Sequence, residues 1–193
     1  MVKLSRYFRP AWLNVIFGGL LAVTAFGALW YAHAQIREAH DEAQIQHLVT
    51  FVDEFDQEPM ATYRKELADK RLHTTEDDPL ELYRVLDFFD TIGRLVDRGY
   101  LDEEDVWSEF GYWILNLNAD LPMRANVDYE RQQNPNEYTE YLSLVARMQR
   151  IDLQRGGYLS HLKPADVTAF YQEEFEIVGG TPITHGQDFH SGK

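Results

Sequence analysis

Three histidines, His33, His40 and His47, recur every seven residues. On a helix that spacing keeps them near one stripe, which drifts by about 20° per heptad. Neutral imidazole is the commonest protein ligand for metals. Seven residues, however, rise about 10.5 Å at 1.5 Å each, so neighbouring histidines of one helix cannot share an ion. Two or more copies of the helix side by side would be needed. A single copy reads as carrying solvated, interfacial histidines. The other constellation is His185, Asp188 and His190 near the C-terminus. A His–Asp–His group suits a transition metal, and these three are the chain's candidate metal ligands. The Gly-, Pro- and Thr-containing sequence around them shows no periodicity and would first have to be ordered. The expectation is therefore no bound metal and no cofactor.

Carboxylates are abundant, yet none stands out from a charged face as a catalytic pair. Residues 94–105 briefly resemble half of a calcium loop, with Gly99 at position 6 and Asp105 at position 12. Positions 1, 3 and 5 would then be Arg94, Val96 and Arg98, which cannot supply the oxygens a hard cation needs. The stretch reads instead as a helix, a glycine and a newly capped helix. The chain has no cysteine, which excludes disulfides, thiolate catalysis and Cys-based zinc sites. It contains no His-Glu-x-x-His, nucleophile elbow, glycine-rich phosphate loop or kinase signature. No catalytic residue is expected.

Charge narrows the partners. Of 18 Lys and Arg residues, Lys3, Arg6 and Arg9 precede a long uncharged run, leaving 15 against 32 Asp and Glu in the remainder. A surface that acidic repels nucleic-acid phosphates and anionic headgroups. Nucleic acid is not an expected partner; another protein or a second copy of the chain is.

The uncharged run, Ala11 to Ala32, is 22 residues long, enough to cross a bilayer core as a helix. Trp12 at one end, with Trp30 and Tyr31 at the other, match the aromatic belt at a membrane interface. Ala32-His33-Ala34 has the form of a signal-peptidase site. A secretory h-region, though, is usually about 7–15 residues, and the helical pattern continues past Ala34 without Pro or Gly until Pro59. An uncleaved anchor over residues 11–33 is the expectation, and secretion after cleavage near Ala34 the alternative. The three basic residues before the span favour an N-terminus inside and the acidic domain outside. Gly18, Ala22 and Ala25, and likewise Thr24, Ala28 and Ala32, give spacings that permit close helix approach.

Beyond the span, Ile45, Leu48, Val49, Val52 and Phe55 share one helical face. Pro59 is suited to the first position of a second helix, with Met60, Tyr63 and Leu67 apolar. Asp78-Pro79 opens a third, with Leu82, Val85, Leu86, Phe89, Ile92 and Val96 inward and Gly99 ending it. Asp102 caps a fourth that carries Val106, Phe110, Trp113, Ile114 and Leu117 and stops before Pro122. Asn134-Pro135-Asn136-Glu137 starts a fifth, with Tyr138, Tyr141, Leu142, Val145, Met148 and Leu153 inward, and Gly156-Gly157 ends it. A last helix runs from Pro164 to about Phe175. The fold class is all-α: a transmembrane helix continuing into an amphipathic one, then a bundle of about five helices. The organisation is a basic tail (1–10), a span (11–33), an acidic helical domain (34–177) and a loose C-terminal tail (178–193).

This layout resembles a widespread bacterial family of uncharacterised membrane-anchored helical proteins, a domain of unknown function. The resemblance rests on the span exiting into Gln35-Ile36-Arg37, a Pro-started helix rich in Arg and Lys, and a Leu/Phe helix ending in Arg98-Gly99 with an acidic restart. A Trp-bearing helix and an Asn134-Pro135 start complete it, over roughly residues 20–155. It implies a single-pass anchor in the bacterial cytoplasmic membrane and no known activity. Family members often lack a basic tail and look N-terminus-outside, a pattern from which Lys3, Arg6 and Arg9 depart. The expected function is a membrane-anchored protein-interaction or accessory module without catalytic activity, or else a sensor coupled through the continuous helix.

Overall fold

A computed structural model of the chain describes residues 11–73 and 80–177; in the first helix, side chains are described for Gly19 and from residue 24 onward. The described residues form seven α-helices, one short 3-10 turn and no strand. The helices are α1 (Ala11–Asp56), α2 (Met60–His73), α3 (Leu80–Asp97), α4 (Glu103–Ala119), α5 (Leu121–Gln133), α6 (Thr139–Gln154) and α7 (Pro164–Ile177), with the 3-10 turn at Leu159–His161. The chain divides into two units between Ala43 and Gln44. In the first, residues 24–43 of α1 are exposed throughout. Among the described residues no helix is long and apolar enough to cross a membrane. The span expected at residues 11–33 rests largely on side chains that lie outside them, Trp12 included. The basic tail 1–10, the Asp78-Pro79 start and the C-terminal tail 178–193 also lie outside.

The second unit is a helical bundle organised around α3. Leu82, Val85, Leu86, Phe89, Ile92 and Val96 are all buried, as the spacing predicts, and Phe88 joins them. The end of α1 enters this core through Phe55, whose ring lies 5.2–5.3 Å from those of Phe88, Phe110 and Trp113. The expected docking stripe on α1 needs correction: Leu48, Val52 and Phe55 face the core, but Ile45 and Val49 are exposed. Gln44 and Phe51 take the inner side instead. Phe51 packs on Phe88, and the Gln44 amide donates to the Gly99 carbonyl at 2.8 Å.

The junction of α3 and α4 follows local rules. Gly99 adopts φ +73°, and the Tyr100 amide reaches back to the Leu95 carbonyl at 2.9 Å, closing α3 with a left-handed residue. Asp102 then caps α4, its carboxylate accepting from the amides of Glu104 and Asp105. Leu101 and Val106 are both buried beside it.

Three starts differ from expectation. Pro59 precedes α2 as its cap, accepting from the Tyr63 amide through its carbonyl, instead of occupying the first helical position. Between the expected fourth helix and Asn134 the structure adds α5, which buries Met123 and Val127 and brings the expected bundle of about five helices to six. And α6 begins at Thr139, not at Asn134-Pro135. Asn134 is spent elsewhere: its amide closes α5 on Glu130, and its side-chain oxygen accepts from the Asn136 amide in a local turn. Tyr138 then takes a left-handed conformation, φ 51°. The first turn of α6 is capped from another helix, with the Tyr141 amide donating to Asp90 Oδ1 at 3.0 Å. Leu144 and Ile151 also face inward, and Leu153, expected inward, is exposed.

One turn along α3 from Asp90 lies Gly93. A β-carbon built on Gly93 would stand 2.3 Å from the Glu140 carbonyl oxygen and 2.7 Å from its carbon. Neither atom is part of a flexible side chain, so the helices themselves would have to separate. Alanine in mid-helix normally gains about 1 kcal/mol over glycine. Here overpacking outweighs that gain: Gly93→Ala should destabilise the fold by about 3 kcal/mol, or roughly 10 °C in Tm at this chain length. Thermal unfolding followed by circular dichroism measures it, and an unchanged or raised Tm would contradict the contact.

Candidate functional site

Within the bundle, polar side chains concentrate between α2, α4 and α7. On α2, Arg64, Leu67, Ala68 and Arg71 share the inward face, so two arginines occupy positions that core packing normally reserves for apolar residues. Burial of a guanidinium requires charge and hydrogen-bond partners, and the facing helices provide them in two tiers.

The first tier is built around Arg64. Its Nη1 lies 3.1 Å from Asp56 Oδ1 at the end of α1, and its Nε lies 3.7 Å from Glu174 Oε2 on α7. The guanidinium carbon stands 4.1 Å from the Phe55 ring centroid and 5.5 Å from that of Trp113. The Trp113 indole N–H donates to Glu174 Oε1 at 2.8 Å. Arg64 and Glu174 are buried, with Glu174 2 % exposed, while Asp56 at the edge of the tier keeps 59 % of its side chain exposed.

The second tier lies two turns along α2. Arg71 Nε is 2.9 Å from Asp120 Oδ2, with both side chains 7 % exposed. The Tyr171 hydroxyl donates to the same oxygen at 2.8 Å. Burial, reinforced by the Asp120 charge, holds the Tyr171 phenol well above its ordinary range. Asp120 also ends α4 and precedes Leu121, where α5 begins with Pro122 in its first turn. One carboxylate thus ties α2 and α7 to the α4–α5 corner.

These carboxylates are engaged with donors from neighbouring helices, which suits them to fixing helix positions. A recess of about 80 Å³ lies beside Met123, Val127, Tyr141 and Leu142. That is well short of the roughly 300 Å³ at which small-molecule pockets begin. Among the described residues no group of three or more His, Asp or Glu side chains is placed to hold a metal ion. His185, Asp188 and His190 lie outside the described residues. His33, His40 and His47 are exposed along α1, and Trp30 and Tyr31, expected from the sequence as interface anchors, are 81 % and 65 % exposed.

The polar tiers were missed in the sequence because arginine counts as a solvated residue. The available signal was positional: Arg64 and Arg71 sit at i and i+7 around Leu67 and Ala68 on one face.

A family described as Domain of unknown function (DUF4760) matches residues 22–150. The chain belongs to this family. No curated protein and no solved structure gives a match. The DUF4760 segment runs from within α1 through most of α6 and contains Arg64, Arg71, Trp113 and Asp120. Tyr171 and Glu174, which complete the two tiers, lie beyond it.

Two outcomes are expected. Arg71→Met removes the cation facing a buried carboxylate and should cost about 3–5 kcal/mol, with a substantial part recovered in Arg71→Met/Asp120→Asn. Urea denaturation of the three proteins measures this, and additive losses would refute the coupling. The second concerns Lys70 and Glu81, 2.7 Å apart between α2 and α3. Burial pushes the Glu81 carboxyl up, but hydrogen bonding and charge from Lys70 outweigh it, and the net direction is down. A lowered carboxyl stabilises the fold above its unfolded-state pKa and loses that contribution as pH falls through the folded-state value. Glu81→Gln should therefore weaken the protein near pH 7 and flatten its acid-side stability curve; a parallel curve would argue against the pair.

Proposed function

We propose that this DUF4760 protein is a non-catalytic interaction module tethered to a membrane by the N-terminal part of α1. The observation that carries the reading is the exposure of Phe26 (76 %), Leu29 (68 %), Trp30 (81 %) and Tyr31 (65 %) on a helix whose residues 24–43 have no buried side chain. Large apolar side chains clustered in this way call for a lipid or protein environment. They continue the uncharged run that starts at Ala11 and has the length of a span. In this reading Trp30 and Tyr31 sit at the headgroup level, and the bundle displays its acidic surface to a protein partner. In the bacterial cytoplasmic membrane that the family resemblance implies, Lys3, Arg6 and Arg9 before the run favour the bundle on the outer side.

A second reading is a sensor in which α1 transmits a change between membrane and bundle. The helical assignment from Ala11 to Asp56 without a break supports it.

The test is fractionation of cells expressing the full chain. The protein should stay with membranes after alkaline carbonate washing, keep its original N-terminus, and lose its bundle to protease added to spheroplasts. Recovery in the soluble fraction with a new N-terminus at Gln35 would overturn the tether in favour of secretion. Protection of the bundle in intact spheroplasts would place it on the inner side.

A further inference from the structure

Residues 25–43 of α1 carry a heptad pattern on side chains that are all exposed. Ala25, Leu29, Ala32, Ile36, Ala39 and Ala43 fall alternately at d and a positions, and every one is exposed. From His33 to Glu42 the other positions hold His33, Gln35, Arg37, Glu38, His40, Asp41 and Glu42, with Ala34 the one apolar exception. Over that stretch the apolar residues other than Ala34 are confined to a and d, the mark of a helix that pairs with another; nearer the N-terminus Phe26, Trp30 and Tyr31 stand at e, b and c, where the tethered reading gives them lipid. Leu29 and Ile36 supply the knobs, and alanine at the d positions permits close approach.

The flanking residues select the partner. With Ile36 at a, His33, His40 and His47 occupy e, while Gln35 and Glu42 occupy g. In a parallel pair of identical helices, each g residue meets the e residue five positions on in its partner. Glu42 then faces the second copy's His47, and Gln35 faces its His40, so a carboxylate and an amide each meet an imidazole. In an antiparallel pair, e would meet e and g would meet g, setting histidine against histidine. The seven-residue spacing of the histidines, too long for one metal site on one helix, is the spacing this pairing needs.

We infer that α1 forms a parallel two-stranded pair with a second copy of this chain, along a seam from Ala25 to Ala43 flanked by Glu42–His47 contacts. The inference deepens the tethered-module reading and rests on it for orientation, because two copies inserted in one membrane with the same sidedness present their helices in parallel.

The chain's lack of cysteine makes the test direct. Ile36→Cys and Asp41→Cys, at a and f, are introduced singly into the full chain and oxidised in isolated membranes with copper–phenanthroline. Ile36→Cys should form a disulfide-linked dimer and Asp41→Cys should not. Adding Glu42→Lys should reduce the Ile36→Cys dimer, and Glu42→Lys with His47→Glu should restore it. Equal crosslinking at both positions, or none at Ile36→Cys, overturns the pairing. The fraction in which the protein is recovered is scored separately. A membrane-bound chain without the Ile36→Cys dimer sinks the seam and keeps the tether; a soluble chain with that dimer keeps the seam and sinks the tether.

Discussion

Where α3 crosses α6, backbone meets backbone, and the crossing exists only because Gly93 presents no side chain to the Glu140 carbonyl. The contact fixes more than one pair of helices. It sets Asp90 one turn away against the open first turn of α6, where its carboxylate accepts from the Tyr141 amide. It thereby helps to fix where α6 begins; the residues of α6 that face inward are Tyr141, Leu144, Val145, Met148 and Ile151, one stripe at helical spacing. At the far end of α6, Asp152 is buried and accepts from the Ser160 amide and hydroxyl, both at 2.7 Å, holding the chain as it turns toward α7. Around the outside, Arg147 bridges Asp97 and Glu103. Such half-exposed pairs add little individually and trim an arrangement already set by the backbone contact.

The opposite side of the bundle is held by a different physics. Between α2, α4 and α7, guanidinium groups occupy core positions, and the helices meet through paired charges and indole and phenol donors. Buried ion pairs often contribute less to net stability than apolar residues of similar size would, while removing one partner is costly. Their value here lies in register: a helix displaced by one turn would leave Arg71 away from Asp120 and Arg64 away from Glu174. One face of the bundle is therefore specified by shape and the other by charge. Phe55, at the end of α1, touches both, lying against Phe88 of α3 and beneath the Arg64 guanidinium.

Elements governed by near neighbours in sequence were legible. The inward face of α3, the left-handed Gly99, the Asp102 cap and the Gly156-Gly157 stop each follow from residues within a turn or two. What could not be read depends on partners far along the chain. Asn134-Pro135-Asn136-Glu137 has every local sign of a helix start, but its asparagine closes α5 and the cap of α6 comes from Asp90, 51 residues away. Ile45 and Val49 fit an apolar stripe by period, yet the surface α1 docks on is turned toward Gln44 and Phe51. The burial of Arg64 and Arg71 depends in part on acceptors far along the chain, Glu174 on α7 and Asp120 at the end of α4. Membership of a family of unknown function was legible from the layout of caps and breaks and is shown over residues 22–150; the match does not extend to the bacterial origin or the membrane anchor that the resemblance implied.

That match ends inside α6, whereas the charge-specified side of the bundle closes only with Tyr171 and Glu174 on α7. Cut at residue 150, the domain would keep both buried arginines and discard part of what neutralises and covers them. A fragment drawn to the family limits would therefore expose charge designed for an interior and apolar surface beside it, the usual recipe for inclusion bodies. For recombinant work, a fragment that keeps both tiers has to include α7, through Ile177.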